Sequence, residues 1–174
     1  DNKLKIHNSN TENWKITLVD TGNETLTGGR ILRVRDYIGD ETFALSYGDG
    51  LTNHDIKSSL VFHSKNKKMV TVTAVRPPGR YGALGITNES MVHSFYEKPE
   101  GKNSWINGGF FILEPEALNY ITGDNCSWEE DCLPNILKDG NLNAFKHEGF
   151  WHPMDTLRDK NNLEKLWRQN NPPW

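Results

Sequence analysis

Strand-like and helix-like segments alternate along this chain, and the alternation restricts its fold more than any other feature does. Apolar runs rich in β-branched and aromatic residues cover 14–19, 43–47, 69–75, 84–87, 91–96, 105–113 and 142–145. Helical periodicity covers 27–38, 54–68, 116–121 and 128–138, and a last helix contains Leu163, Leu166 and Trp167. This pattern predicts an α/β fold with a mixed, mostly parallel sheet flanked by helices, in which 43–47 is a buried parallel strand. Ligands would then bind at the carboxyl ends of the strands.

Size and charge exclude several classes of protein. A chain of 174 residues is expected to form a single domain over residues 1–174, and six Trp, five Tyr and seven Phe argue against disorder. A net charge of −3 is unlike a nucleic-acid-binding surface, and no apolar run reaches the about 20 residues that span a bilayer. The first residues lack the apolar core of a secretory signal. We therefore expect a cytoplasmic protein without nucleic-acid or membrane partners.

The two cysteines, Cys126 and Cys132, lie six residues apart in a polar stretch. A disulfide between them is one interpretation, although thiols in a cytoplasmic protein are usually reduced. The sequence contains neither CxxC nor HExxH, so a structural zinc site is not expected.

Two carboxylates stand where ligands are expected. Asp49 lies between Gly48 and Gly50 at the end of an apolar run, where a carboxylate can bind a metal or a hydroxyl group. The alternative is a turn residue or the N-cap of the next helix. Asp155 follows a segment of aromatic residues and proline at the start of the last helix, where it could equally be an N-cap. If both carboxylates face one cleft they suit Mg²⁺, which binds one or two carboxylates together with substrate phosphates.

Two further tripeptides carry polar groups near strand ends. In Glu97-Lys98-Pro99, proline restricts Lys98 to an extended backbone, so the ammonium group could reach a phosphate or a sugar hydroxyl. The alternative is a solvated charge pair in a turn. Asn107-Gly108-Gly109 offers an amide beside bare backbone, which suits hydroxyl recognition or equally a β-bulge.

The order of these motifs is more specific than any of them alone. The blocks TLVDTG, TGGR, YGDG, PPGRYGAL, EKP, INGGFF and PMDTLRDK, in this order and spacing, resemble the sugar-phosphate nucleotidyltransferases, and among them the glucose-1-phosphate cytidylyltransferase branch. The resemblance implies a Rossmann-like sheet and the transfer of a cytidylyl group from CTP to glucose 1-phosphate, with Mg²⁺ as cofactor. The products would be CDP-glucose and pyrophosphate. In bacteria, CDP-glucose supplies O-antigen and related lipopolysaccharide sugars. The resemblance also implies a homo-oligomer.

The resemblance extends to individual residues. Asp49 and Asp155 match the aspartates that hold Mg²⁺, and Lys98 matches the lysine that contacts the sugar phosphate; these three are the predicted catalytic residues. The remaining matches are to substrate-binding positions. Those on the sugar side are Gly82, Glu97, Asn107 and Gly108, and those beside the nucleotide are Thr27, Gly28, Gly29 and Arg30.

One part of the family pattern is absent from this sequence. Neither the Gly-rich loop of the form LAGGxGTRL nor the lysine of a PKP motif occurs in it. The backbone N–H groups of such a loop normally bind the triphosphate. We therefore expect the chain to correspond to the C-terminal two-thirds of a nucleotidyltransferase and to be inactive by itself. The alternative is a non-catalytic module that keeps a sugar-phosphate pocket or acts as a scaffold.

Overall fold

Strand β3 lies at the centre of the sheet, and the other elements are arranged around it. The computed structural model describes residues 14–77, 83–87, 90–96 and 105–174. The strands are β1 (Phe43–Ser46), β2 (Gly50–Thr52), β3 (Val70–Val75), β4 (Ala83–Ile86), β5 (Val92–Tyr96), β6 (Ile106–Leu113), β7 (Leu142–His147) and β8 (Trp151–Pro153). The α-helices are α1 (Thr27–Arg33), α2 (Arg35–Ile38), α3 (Ile56–Asn66), α4 (Leu133–Lys138) and α5 (Leu157–Arg168). A 3₁₀ helix covers Pro115–Tyr120 and a π-helical segment covers Trp128–Cys132.

The main sheet has four strands in the order β1-β6-β3-β7. Strand β3 runs parallel to β7 and antiparallel to β6, and β6 is also antiparallel to β1. Two further antiparallel pairs, β2–β8 and β4–β5, form small separate sheets. The predicted mixed α/β class is confirmed, but parallel pairing among the described strands is confined to β3 and β7.

Strand β1 differs from its prediction. It is antiparallel to β6 rather than parallel, and half-buried Phe43 and Leu45 alternate with exposed Ala44 and Ser46. The apolar run suggested a strand buried on both faces, but β1 lies at one end of the described sheet. A strand in that position needs only one apolar face.

The hydrophobic core lies between one face of the sheet and the elements that follow β6. Phe111 and Leu113 of the sheet pack with Leu118, Trp128 and Ile136, and all five are at most 2% exposed. Helix α3 packs across β3 and β7. The core therefore fixes the π-helical segment against β6, which positions the site described below.

One predicted helix is interrupted, and another changes its hydrogen-bonding pattern. The segment 27–38 is confirmed as helical, but it divides into α1 and α2 at Val34, which leaves helical geometry at ψ 5°. The segment 128–138 is confirmed as helical throughout, because the π-helical segment continues directly into α4 with Cys132 and Leu133 both in right-handed helical conformation. Pro134 lacks the N–H group that a regular α-helix would use at this position.

The predicted strand at 14–19 is wrong. Residues 14–20 form no regular secondary structure, because no strand in the described part of the chain pairs with them. Trp14, Ile16 and Leu18, which alternate along this segment, are 73%, 71% and 92% exposed. The sequence has the composition of a strand, but a strand also requires a neighbour to satisfy its N–H and C=O groups.

No helix within the described ranges combines the length and the apolar character needed to cross a bilayer.

Candidate active site

A small sheet that the sequence did not predict brings the two candidate carboxylates to one pocket. Strands β2 and β8 pair antiparallel, with Gly50 opposite Pro153. Asp49 directly precedes β2, Asp155 follows β8, and the Met154 N–H donates to the Asp49 carbonyl oxygen at 2.8 Å. Both aspartates line a pocket of about 360 Å³. Strands of three residues are too short to show a period, so periodicity could not predict this pairing.

Neither aspartate is a helix N-cap. Helix α3 is capped by Asp55, whose carboxylate accepts from the Ser58 N–H at 3.1 Å. Helix α5 is capped by Thr156, which forms a capping box with Asp159. The N-cap alternative is therefore wrong for both Asp49 and Asp155, because other side chains occupy the cap positions. Asp49 does lie in a turn, as its flanking glycines predicted.

The double glycine of β6 forms a β-bulge in the wall of the same pocket. The register between β3 and β6 shifts between Val72 and Ala74, opposite this part of β6. Gly109 has φ +76°, and a Cβ there would lie 2.6 Å from Cδ2 of Tyr47, so only glycine fits. The Asn107 Oδ1 accepts from the Gly109 N–H at 2.8 Å and closes the bulge. Asn107 and Gly108 both line the pocket, so the bulge and the predicted sugar-side position coincide.

Two aromatic residues in the pocket wall were missed by sequence reasoning. The indole Nε1–H of Trp151 donates to the Gly108 carbonyl oxygen at 2.8 Å and links β8 to β6. Tyr47 follows β1, and its ring packs edge-on against Phe111 with centroids 5.9 Å apart. Both lie within four residues of a predicted aspartate, which was the available signal.

Hydrogen bonds set the protonation of the polar groups behind this wall. The Tyr47 hydroxyl donates to Oε1 of Glu129, and Oε2 of Glu129 accepts from Thr27 Oγ1 at 2.6 Å. Burial, reinforced by the bond to Glu129, raises the pKa of Tyr47. Desolvation opposes ionisation of Glu129, but the bonds from Thr27, Tyr47 and Ser127 outweigh it and lower the pKa of that carboxyl group. At neutral pH Tyr47 is therefore protonated and Glu129 is charged.

This geometry agrees with a comparison of the whole sequence with known families. The sequence model of the family described as nucleotidyl transferase matches residues 3–163, which is most of the chain. The chain belongs to the nucleotidyl transferase family.

Two curated relatives that cover most of this chain carry the name of a cytidylyltransferase. The chain is 47% identical to "Glucose-1-phosphate cytidylyltransferase" of Salmonella typhimurium over 175 aligned positions, covering 100% of this chain and 68% of the relative. It is 41% identical to "Probable glucose-1-phosphate cytidylyltransferase" of Bacillus subtilis, covering 94% of this chain and 64% of the relative. The chain thus spans about two-thirds of the length of these relatives.

Two solved structures share the fold. HddC from Yersinia pseudotuberculosis superposes with a TM-score of 0.61 at 26% identity, covering 83% of this chain and 64% of that one. A putative glucose-1-phosphate thymidylyltransferase from Bacillus anthracis superposes with a TM-score of 0.63 at 20% identity, covering 84% and 63%. The second likeness shows the fold alone.

The predicted nucleotide-side residues of this nucleotidyl transferase have other contacts in the structure. Thr27 begins α1. Gly28 and Gly29 are buried so closely against the backbone of Cys126 and Asp124 that a Cβ on either would lie 2.7 Å from a backbone atom. Arg30 donates to Thr21 Oγ1 at 2.8 Å and to the Asn23 carbonyl oxygen at 3.1 Å. These four residues are not among the described residues that line the pocket, and their contact with nucleotide stays a prediction.

Three predicted residues, Gly82, Glu97 and Lys98, lie outside the described residues. Their roles also stay predictions.

The donors at the pocket fit a magnesium ion that is completed by substrate. Within residues 14–77, 83–87, 90–96 and 105–174, no group of three or more His, Cys, Asp or Glu side chains could hold a metal by itself. Asp49 and Asp155 supply two carboxylates at one pocket, and Mg²⁺ in phosphoryl-transfer sites commonly uses one or two carboxylates with substrate phosphates and water. The chemistry of this pair therefore suits Mg²⁺ rather than a metal held entirely by protein.

Proposed function

We propose that this chain forms the sugar-phosphate side of an enzyme that transfers a cytidylyl group from CTP to glucose 1-phosphate. The observation that carries the proposal is the shared pocket of Asp49, Asp155 and the Asn107–Gly109 bulge. The identity of 47% to a glucose-1-phosphate cytidylyltransferase supports the choice of both substrates. The products are CDP-glucose and pyrophosphate.

The proposed chemistry needs positioning and charge neutralisation rather than a protein nucleophile. A phosphate oxygen of glucose 1-phosphate attacks the α-phosphorus of CTP in line, and the bond to the pyrophosphate group breaks. Mg²⁺, when bound, neutralises charge on the phosphate oxygens. Asp49 and Asp155 would hold that ion, Lys98 would bind the sugar phosphate, and Glu97, Asn107, Gly108 and Gly82 would contact the glucose. Thr27, Gly28, Gly29 and Arg30 would lie beside the nucleotide.

We further propose that turnover requires more of the fold than this chain contains. The relatives extend beyond the matched region, since the chain covers 68% of the Salmonella protein. No segment of the sequence matches the family's Gly-rich triphosphate loop. Holding two substrates in line can supply about 7–11 kcal/mol of barrier lowering, so losing the triphosphate contacts should abolish useful turnover.

The wider setting follows from the proposed reaction. A bacterial enzyme of this kind would act in the cytoplasm, where CTP is available, and would supply CDP-glucose for O-antigen and other lipopolysaccharide sugars. It would act as a homo-oligomer.

A pyrophosphate-release assay tests the proposal. The chain is incubated with CTP, Mg²⁺ and glucose 1-phosphate, with and without a fragment that carries the first third of the Salmonella relative. We expect turnover only with the fragment. Asp49→Asn should abolish this turnover, whereas Asp36→Asn, at an exposed position in α2, should leave it unchanged.

Three outcomes would contradict the proposal in different ways. Rapid turnover by the chain alone would refute the need for further residues. Equal turnover of the Asp49→Asn and Asp36→Asn chains would refute the role of the pocket. Should the fragment bind without any turnover, the non-catalytic alternative, a sugar-phosphate-binding module, would be favoured instead.

A further inference from the structure

A continuous chain of hydrogen bonds joins the start of α1 to the pocket wall. Thr27 Oγ1 donates to Glu129 Oε2 at 2.6 Å, and the Tyr47 hydroxyl donates to Glu129 Oε1. Asn107 Nδ2 donates to the Tyr47 hydroxyl oxygen at 3.3 Å. The bonded residues come from four separate segments of the sequence, and Glu129 is the one that receives bonds from both sides.

The direction of each bond in this chain is determined. The Gly109 backbone N–H can only donate, so the atom of Asn107 that it contacts must be Oδ1, and the amide orientation is fixed. The ionised carboxylate of Glu129 can only accept, so the single hydroxyl proton of Tyr47 is donated to Glu129. The Tyr47 oxygen is then an acceptor toward Asn107.

The carboxylate of Glu129 is held by hydroxyl groups rather than by a basic side chain. It is half-buried, and Ser127 Oγ donates to it as well, at 3.3 Å. Among the residues that the structure describes, no Lys, Arg or His forms an ion pair with it. A charge retained in such surroundings depends on its hydrogen bonds, and these are the bonds that orient Tyr47.

Asn107 retains hydrogen-bonding capacity for a ligand. A primary amide can form four hydrogen bonds, and Asn107 uses two with other described residues, one through Nδ2 and one through Oδ1. Toward the described part of the chain, one N–H and one lone pair are left on a side chain that lines the pocket and is exposed. A donor and an acceptor on one rigid group suit a sugar hydroxyl, which both donates and accepts.

We propose that Glu129 is a positioning residue that acts through Tyr47 to hold the Asn107 amide in the orientation that binds a sugar hydroxyl. This inference rests on the proposed function for the ligand class, but the bond network itself does not. It assigns a role to two residues, Glu129 and Tyr47, that are not among the predicted site residues.

Two single variants and one double variant test the inference. Glu129→Gln keeps the shape but replaces one of the two oxygens, which accept separately from Thr27 and Tyr47, by an NH₂ group that cannot accept. Tyr47→Phe removes only the hydroxyl group. Glu130→Gln is the matched control, because it removes the same charge from the exposed neighbouring residue of the π-helical segment.

The first measurement does not need activity or ligand. The full chain is labelled with ¹³C at Cζ of tyrosine. The resonance that disappears in Tyr47→Phe is assigned to Tyr47. We expect this resonance to shift at neutral pH in Glu129→Gln and not in Glu130→Gln. An unchanged Tyr47 resonance in Glu129→Gln would overturn the inference.

The second measurement is calorimetric titration of the full chain with glucose 1-phosphate and Mg²⁺. Glu129→Gln and Tyr47→Phe should each weaken binding about tenfold, which corresponds to about 1.4 kcal/mol, and the double variant should bind no more weakly than either. Additive losses would show that Glu129 does not act through Tyr47. If the unaltered chain fails to bind the sugar phosphate, the proposed substrate is wrong, while the resonance shift still decides whether Glu129 orients Tyr47.

Discussion

Individual side chains in this structure show how far residue-level reasoning extends. Asp49 and Asp155 were predicted to share a cleft, and they line one pocket. Tyr47 and Glu129 could not be predicted together, because their bond joins residues 82 positions apart and only tertiary packing brings them into contact. The motifs therefore identified groups that line the pocket, while hydrogen-bonded pairs behind them are visible only in the tertiary structure.

Cys126 and Cys132 are free thiols with their sulfur atoms 3.2 Å apart, both buried. Burial, and then the hydrogen bond shared with Cys126, raises the pKa of Cys132 to about 12 from an ordinary value of 9.0. At neutral pH Cys132 then carries about a thousandth of the thiolate of an unperturbed thiol. We expect neither thiol to react measurably with Ellman's reagent in the native chain, and both to react in denaturant.

The same shift has a pH consequence for stability. The folded chain keeps the Cys132 proton up to about pH 12, whereas the unfolded chain loses it near 9.0. The resulting stabilisation is complete below pH 9 and is lost as the pH rises toward 12. If the native chain reacts with Ellman's reagent at pH 7 as fast as the denatured chain does, both the low reactivity of the thiols and the raised pKa of Cys132 are contradicted.

Elements differ in how well the sequence predicted them. The bounds of helix α3 and strand β3 were predicted within two residues. The strand predicted at 14–19 did not form, and β2 and β8 were missed, for one shared reason. Pairing between strands is non-local, so composition can suggest a strand without supplying its neighbour, and a neighbour can pair three residues that have no strand-like composition.

The bulge in β6 gives a prediction at the scale of an element. Gly109→Ala places a side chain at φ +76° and 2.6 Å from the Tyr47 ring. We expect it to lower the free energy of unfolding by about 1–3 kcal/mol, measured by urea denaturation.

Gly48→Ala is the control for this substitution. Gly48 lies near the same pocket, but a Cβ there meets no atom of the described residues within 4 Å. Its unfolding midpoint should stay close to that of the unaltered chain. Equal midpoints for the Gly109 and Gly48 variants would show that the bulge tolerates a side chain.

At the scale of the whole molecule, the described part of the chain carries large apolar side chains that are mostly exposed. Trp14, Ile16 and Leu18 alternate along an extended segment and are largely exposed. An apolar hollow of about 150 Å³ lies between β1, β6 and the start of α3. Together with coverage of 68% of the Salmonella relative, these surfaces fit a fold whose remaining strands and helices would cover them.

Leu18→Lys tests this interpretation. In the chain alone the side chain is 92% exposed, so the free energy of unfolding should change by no more than about 0.5 kcal/mol. In the complementation assay the same variant should prevent turnover, because a buried lysine without a partner is costly.

Asn161→Lys is the matched control, since it adds the same charge at an exposed position of α5. In the complementation assay, its turnover should equal that of the unaltered chain. If Leu18→Lys complements as well as Asn161→Lys, the segment 14–19 is not covered in the complete fold.

The contact of Gly28 and Gly29 with residues 124–126 changes how the TGGR block is to be interpreted in other sequences. Both glycines are required by packing, because the backbone of Cys126 and Asp124 occupies the space that any larger side chain would need. Packing therefore prevents substitution of either glycine even in a protein that binds no nucleotide. A descendant that lost its catalytic function would keep both glycines for as long as it kept its fold, so their presence is evidence of this architecture and not, by themselves, of activity.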